Sequence, residues 1–419
     1  MGLIGRESKE KVSELFARHV SSGKVEFFSS VGIDFVLGKR EGVYMYDLDG
    51  TRLINCHCNG GVFNLGHRNP EIVEALSESM RELDIGNHHL VSEQRALLAA
   101  ELASVSPGDI NRVIFGVSGG EAIDTAIKLA RGHTGRPGIV SAIGGYHGHT
   151  GFALPAGDEK YSDPFRPLVP GYSRIPFGDL EALDAAVGAD TAAVLLETIP
   201  ATLGIAIPPE DYYEGVRRIC DDRGAVMVMD EVQTGLGRCG AYWCIDTYGV
   251  VPDVIVCGKG LSGGMYPMSA VLYSDRLNRF WHENAFIHIS TFGGAEVGCP
   301  VAMKVIEILE RPEFLEHVTS MTAFFEKGLA ELKASHPDVL LETRQRGLFM
   351  GLKMANDMCG PLMTLAGLKH GVFTIYANND SSVSQLLPPL IIREHEAAAV
   401  LEGLDAMLTQ LGQTMERST

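Results

Sequence analysis

The chain has 419 residues, 45% hydrophobic and 21% charged, the balance of a packed globular protein with one large domain and a smaller one. Its 35 Lys and Arg face 53 Asp and Glu, a net charge of −18. With no basic run to displace counterions, nucleic-acid and anionic-membrane partners are excluded.

The start, "MGLIGRESKEKVSELFARH", is amphipathic rather than built as a secretion signal, and it lacks the Ser or Thr of a myristoylation site. No apolar stretch reaches membrane-spanning length. Eight cysteines without a CxxC pair read as reduced thiols of a cytoplasmic protein. Next, "GVYMYDLDGTRLIN" predicts a hairpin turning at Asp49-Gly50. In "NCHCN", Cys56, His57 and Cys58 are adjacent, but neighbours on a strand alternate faces and cannot converge on one tetrahedral ion. No metal site is expected.

From residue 112 onward, apolar runs alternate with helix-periodic segments. "RVIFGV" (112–117) reads as a buried strand, followed by a helix with Ile123, Ala126, Ile127 and Ala130 on one face. Runs at 138–143, 191–197, 225–231, 253–259 and 268–274 read as further strands. "PEDYYEGVRRICDDRG" reads as a helix with proline at its start and glycine at its end. The pattern predicts an α/β fold with a mostly parallel sheet covered by helices on both faces. Beyond about residue 295, two long helices, a short β section near "GLFMGLKM" and a final helix predict a smaller α+β domain. The expected division is 1–60, packing with the small domain, then 61–295 and 296–419.

Ligands collect at the carboxyl ends of parallel strands. Ser118, 144–149, Glu197, Asp230 and Lys259 all fall at or just beyond such ends. Lys259 in "CGKGLSGG" is no P-loop lysine, since its glycines follow it and no Ser or Thr is next. "SGGEA" (118–122) opens a helix and offers free N–H groups to an anion, or a serine N-cap and nothing more. Asp230 ends a strand of Val and Met and needs a cation: an arginine, a lysine or a protonated heteroaromatic nitrogen. An anion cup, a carboxylate for a ring nitrogen and a lysine for an aldehyde together describe pyridoxal phosphate. Burial lowers a lysine's pKa and frees its amine for imine formation.

Over nearly its whole length the chain resembles the class III aminotransferases (ornithine, acetylornithine and 4-aminobutyrate type), pyridoxal-phosphate enzymes of fold type I. The likeness rests on "REGVYMYDLDGTRLINCHCNGGVFNLGHRNPEIVEAL", "SGGEAIDTAIKLARG", "GGYHGHTG", "DEVQTGLGRCG", "CGKGLSGG", "STFGGAEVGCPVA" and "LPPLII". It implies Lys259 as the Schiff-base lysine and Asp230 as the partner of the pyridine nitrogen. It further implies Val232 and Tyr146 on the two ring faces, Gln233 near the phenolic oxygen, and Glu197 in a supporting role beside the ring. Ser118, Gly119 and Gly120 form the phosphate cup. Thr291 reaches the phosphate of the neighbouring subunit, because family members are homodimers with shared sites.

The departures concern substrate. Many members carry Ser or Thr where Gly120 stands, so one hydroxyl contact to phosphate is lost. His149 replaces the arginine of "HGR", Thr202 stands where some members have a switching glutamate, and Gln385 stands where others grip a carboxylate with arginine. Arg393 is the nearest candidate substitute. The expected function is transamination between an amine or amino-acid donor and an aldehyde, ketone or oxo-acid acceptor, in specialised metabolism. Racemases, epimerases, aminomutases and phospho-lyases use the same cofactor residues and remain the alternative.

Overall fold

A computed structural model describes residues 3–416. Residues 1–2, where the myristoylation reading falls, and 417–419, the end of the last predicted division, lie outside the described residues. The centre is a seven-stranded sheet. Its elements in chain order are β1 (Ile110–Gly116), helix α1 (Gly119–Thr134), β2 (Gly138–Ala142), β3 (Tyr172–Ile175), β4 (Thr191–Glu197), helix α2 (Tyr212–Arg223), β5 (Val226–Asp230), β6 (Val254–Cys257) and β7 (Ser269–Ser274). They lie in the order β1-β7-β6-β5-β4-β2-β3.

The middle strands are apolar throughout because both faces are covered. Met227, Met229, Ile255 and Cys257 enter one core, while Val226, Val228, Val254 and Val256 enter the other. Strands β3, β2, β4, β5 and β6 pair in parallel. The exception is β7, antiparallel to both β1 and β6. Between β6 and β7 the chain makes only a short turn at Lys259–Ser262, too little for the crossover helix a parallel return requires.

Two details differ from the sequence expectation. Strand β3 ("YSRI") was not anticipated, since its four residues alternate in exposure at the sheet edge and form no apolar run. Helix α2 starts at Tyr212 instead of at Pro209, whose carbonyl accepts from the Tyr212 N–H to close a preceding turn. It ends at Gly224, φ +63°, as glycine allows.

Helix α1 starts at an N-cap, Ser118, whose side chain accepts from the Glu121 N–H. Ala122, Ile123, Ala126, Ile127 and Ala130 are buried along its inner face. The C-terminal part has an antiparallel sheet ordered 340–346, 349–354, 380–386 and 375–377. Helices Pro312–Ser335 and Cys359–His370 pack on it, and Glu394–Glu416 packs against both helices. Near the N-terminus, Tyr44–Asp47 and Arg52–Asn55 form the expected hairpin, with Gly50 at φ +91°. Val372–Phe373 then pairs parallel to Arg52–Asn55, joining the first residues to the last third of the chain. Among the described residues no helix is long and apolar enough to cross a membrane.

Candidate active site

Parallel pairing makes Glu197 and Asp230, the last residues of β4 and β5, direct neighbours. Partners across a ladder project to the same side, so two carboxylates meet at one sheet edge. Asp230 is resolved by His147, from the loop after β2. The His147 Nδ1–H donates to Asp230 Oδ2 at 2.8 Å, and the Val232 N–H donates to Oδ1 at 3.0 Å. Burial works against a charge on His147, but the hydrogen bond to Asp230 and the charges of Asp230 and Glu197 outweigh it, so its pKa is raised. Glu197 Oε1 accepts from the Tyr146 N–H at 2.8 Å. Burial pushes the Glu197 carboxyl up to about 7, with the Asp230 charge adding to the effect and His147 opposing it.

Lys259 lies just beyond β6, with φ +39°, a left-handed conformation unusual for a residue carrying a Cβ. Its Nζ donates to Gln233 Oε1 at 3.2 Å. Burial lowers its pKa, and Asp230 and Glu197 only partly counter this. No carboxylate forms a salt bridge with it among the described residues, so burial shifts its amine toward the neutral, nucleophilic form.

Glycines keep the space in front of Lys259 open. A Cβ on Gly60, φ +67°, would lie 3.2 Å from both Lys259 Nζ and Gln233 Nε2, and one on Gly119 would lie 3.1 Å from Val232 Cγ1. The Gly119 and Gly120 N–H groups, at the start of α1, have no acceptor among the described residues. A buried amine, a buried carboxylate held by a histidine and a pair of free N–H groups at a helix N-terminus match the aldehyde, ring nitrogen and phosphate of pyridoxal phosphate. The residues present fit that group.

Most residues singled out in the sequence meet here. Tyr146 is partly exposed and packs edge-on with His149 and Tyr161, ring centroids 5.2 and 5.9 Å away. Ser118 has its hydroxyl oxygen engaged as the cap of α1. Thr291 is exposed, in a stretch with Phe286, Ile287, Ile289 and Phe292 on the surface. Gln385 is buried on strand Asp380–Leu386, its Nε2 3.4 Å from the Tyr376 carbonyl and its Oε1 without a donor. Arg393 is exposed just before the final helix. Thr202 donates to the Gly144 carbonyl at 2.9 Å.

Two residues were missed as parts of the site. His147 falls within the 144–149 loop at a strand end, but the motif "YHGH" alone does not say that its partner is Asp230. His57 was read as structural. It is largely buried, and burial together with the nearby Lys259 charge pushes it down to about 4. Of its neighbours, Cys58 donates its thiol to the Asn55 carbonyl at 3.3 Å. Among the described residues no group of three or more His, Cys, Asp or Glu could hold a metal ion.

A family model described as aminotransferase class-III matches residues 29–408. An uncharacterized aminotransferase of Archaeoglobus fulgidus is 59% identical over 99% of this chain and 98% of its own length. A putrescine aminotransferase of Pectobacterium atrosepticum is 32% identical over 97% of this chain and 90% of its own. Among solved structures, taurine:2-oxoglutarate aminotransferase from Bifidobacterium kashiwanohense, in complex with PLP and glutamate, superposes with a TM-score of 0.87. It is 26% identical, with 97% of this chain and 99% of that one covered.

Proposed function

This chain belongs to the class III aminotransferases and is a pyridoxal-phosphate-dependent transaminase, and from that premise we propose roles for its residues and a class of donor. The observation that carries the reading is Lys259: a buried amine, lowered in pKa, beside Gln233 and the Asp230–His147 pair. Pyridoxal phosphate, when bound, supplies an aldehyde for amines and a ring that accepts electron density from the donor carbon. Lys259 would be its covalent anchor. The Lys259 Nζ would also take the proton from the amine-bearing carbon of the donor. Asp230, held in place by its hydrogen bonds from His147 and Val232, would hold the ring nitrogen protonated. Gly119 and Gly120 would donate to the phosphate, Val232 and Tyr146 would enclose the ring, Gln233 would lie near the phenolic oxygen, and Glu197 supports Tyr146.

The donor is an amine or amino compound that needs no arginine of this chain. The charged groups acting on Lys259 are Asp230 and Glu197, with no guanidinium among them. Gln385 offers an amide where a carboxylate would call for a cation. The relative named for putrescine, a diamine, supports the same class. The exposed apolar residues Leu90, Val91, Phe286, Ile287, Ile289 and Phe292 support a homodimer, as a surface suited to a second copy that would carry Thr291 toward its phosphate. The chain divides at about residues 60 and 295, with the first segment packing on the C-terminal domain. Eight buried free thiols suit the cytoplasm.

Borohydride reduction of the yellow protein should fix the cofactor to the peptide containing Lys259, and Lys259→Ala should lose both the label and turnover, by ~10²–10⁴-fold or more. Label on another lysine would overturn the assignment. A screen of diamines and monoamines against their amino-acid counterparts tests the donor class.

A further inference from the structure

Gly120 carries no hydroxyl, yet the structure supplies one beside it. A Cβ built on Gly120 would lie 3.0 Å from Thr150 Oγ1 and 3.3 Å from Thr150 Cγ2. The loop carrying Thr150 sits directly on the first turn of α1. A Cβ on Gly148, φ +115°, would be 2.6 Å from Gly120 Cα, so the approach requires glycine on both sides. The Thr150 carbonyl accepts from the Leu154 N–H, and the Phe152 and Ala153 N–H groups donate to Asp124 of α1, which fixes the loop against the helix. The Thr150 hydroxyl itself has no partner among the described residues, and its side chain is exposed.

We infer that Thr150 binds the cofactor phosphate through its hydroxyl, replacing a side chain at position 120. The inference rests on the cofactor assignment under Proposed function. It adds a donor from the loop after β2 to the two free N–H groups of Gly119 and Gly120. A hydroxyl can donate to a phosphate oxygen without adding charge, as do the Gly119 and Gly120 amides and the Thr291 hydroxyl proposed from the second copy. The hydroxyl is therefore relocated, not lost. Position 120 cannot hold one as well unless Thr150 moves.

The test compares two ligands that differ only in the phosphate. Cofactor-free full-length protein is titrated with pyridoxal phosphate and with pyridoxal, following the visible absorbance of the bound form. Thr150→Val should weaken pyridoxal phosphate binding about ten-fold, the scale of one hydrogen bond to a charged group, and leave pyridoxal binding unchanged. Thr150→Ser should bind both as the unaltered protein does. Equal binding of pyridoxal phosphate by the Val variant would overturn the inference, as would an equal loss for both ligands, which would mark a packing role. If the unaltered protein took up neither ligand, the cofactor assignment itself would fail.

Discussion

The ends of β4 and β5 and the small-domain strand Asp380–Leu386 treat polar groups in opposite ways. At the sheet edge each carboxylate is engaged. Asp230 accepts from His147 and Val232, and Glu197 accepts from Tyr146. Glu231, next in sequence to Asp230, accepts from Thr198 and Thr234 hydroxyls and from the Cys244 and Ile245 N–H groups. In the small domain, Gln385 Oε1, Ser384 Oγ and the Oγ1 of nearby Thr374 are buried with no partner. A buried polar atom without a partner is costly and asks for an explanation. The chain alone completes the charged end of the site and keeps it preorganised. Strand Asp380–Leu386 leaves its buried Ser384 Oγ and Gln385 Oε1 unpaired.

Asp230→Asn should break this contrast most strongly. The amide cannot hold a proton on the ring nitrogen, so kcat should fall by ~10²–10³-fold while the cofactor still binds. A single-turnover measurement with the donor amine separates this loss from slow product release; a fall below ten-fold would mean the charge of that edge is not used in the chemistry.

Gln385→Arg sharpens the other side of the comparison. A guanidinium there should move the ratio of kcat/KM toward carboxylate-bearing donors by ~10–100-fold. Paired assays with a diamine and its amino-acid parent read the change. An unmoved ratio would separate strand Asp380–Leu386 from donor recognition.

The smallest expected effect is thermodynamic. Glu197 is raised by burial from 4.5 to about 7, so the folded protein binds more protons than the unfolded chain between those values. Its contribution to stability is therefore highest at the acid side of this window and is lost as pH rises through it. Glu231, raised by burial to about 7 despite its four donors, has the same sign. His57 and His67, pushed down to about 4 by burial, have the opposite sign and oppose this slope. The measurement is therefore a difference: relative to the unaltered cofactor-free protein, Glu197→Gln should gain ~2–4 °C in melting temperature between pH ~4.5 and ~7. A difference between the two proteins that stays constant across this window would show that Glu197 is charged in the folded state.

The fold was legible because its signals are local. Apolar runs long enough to be buried on both faces marked β4, β5 and β6, and a serine followed by glycines marked the start of α1. Strand β3 escaped because an edge strand buries one side only and carries no such run. Strand β7 was legible as a strand but not in its direction, which follows from the short chain available between β6 and β7. At the site, Lys259 and Asp230 could be named from their positions at strand ends. The partner of Asp230 could not, because His147 lies 83 residues earlier and reaches it only when β2 and β5 share a sheet.

By itself the sequence determined the strand and helix periods, the family and the two groups of greatest chemical consequence, all carried by neighbours within one segment. The tertiary structure alone decided which histidine holds Asp230, that Thr150 stands beside Gly120, and that Gln385 is buried with a free carbonyl oxygen. These depend on where distant loops dock and how side chains are turned. Register and packing set both, and no local pattern of residues encodes them.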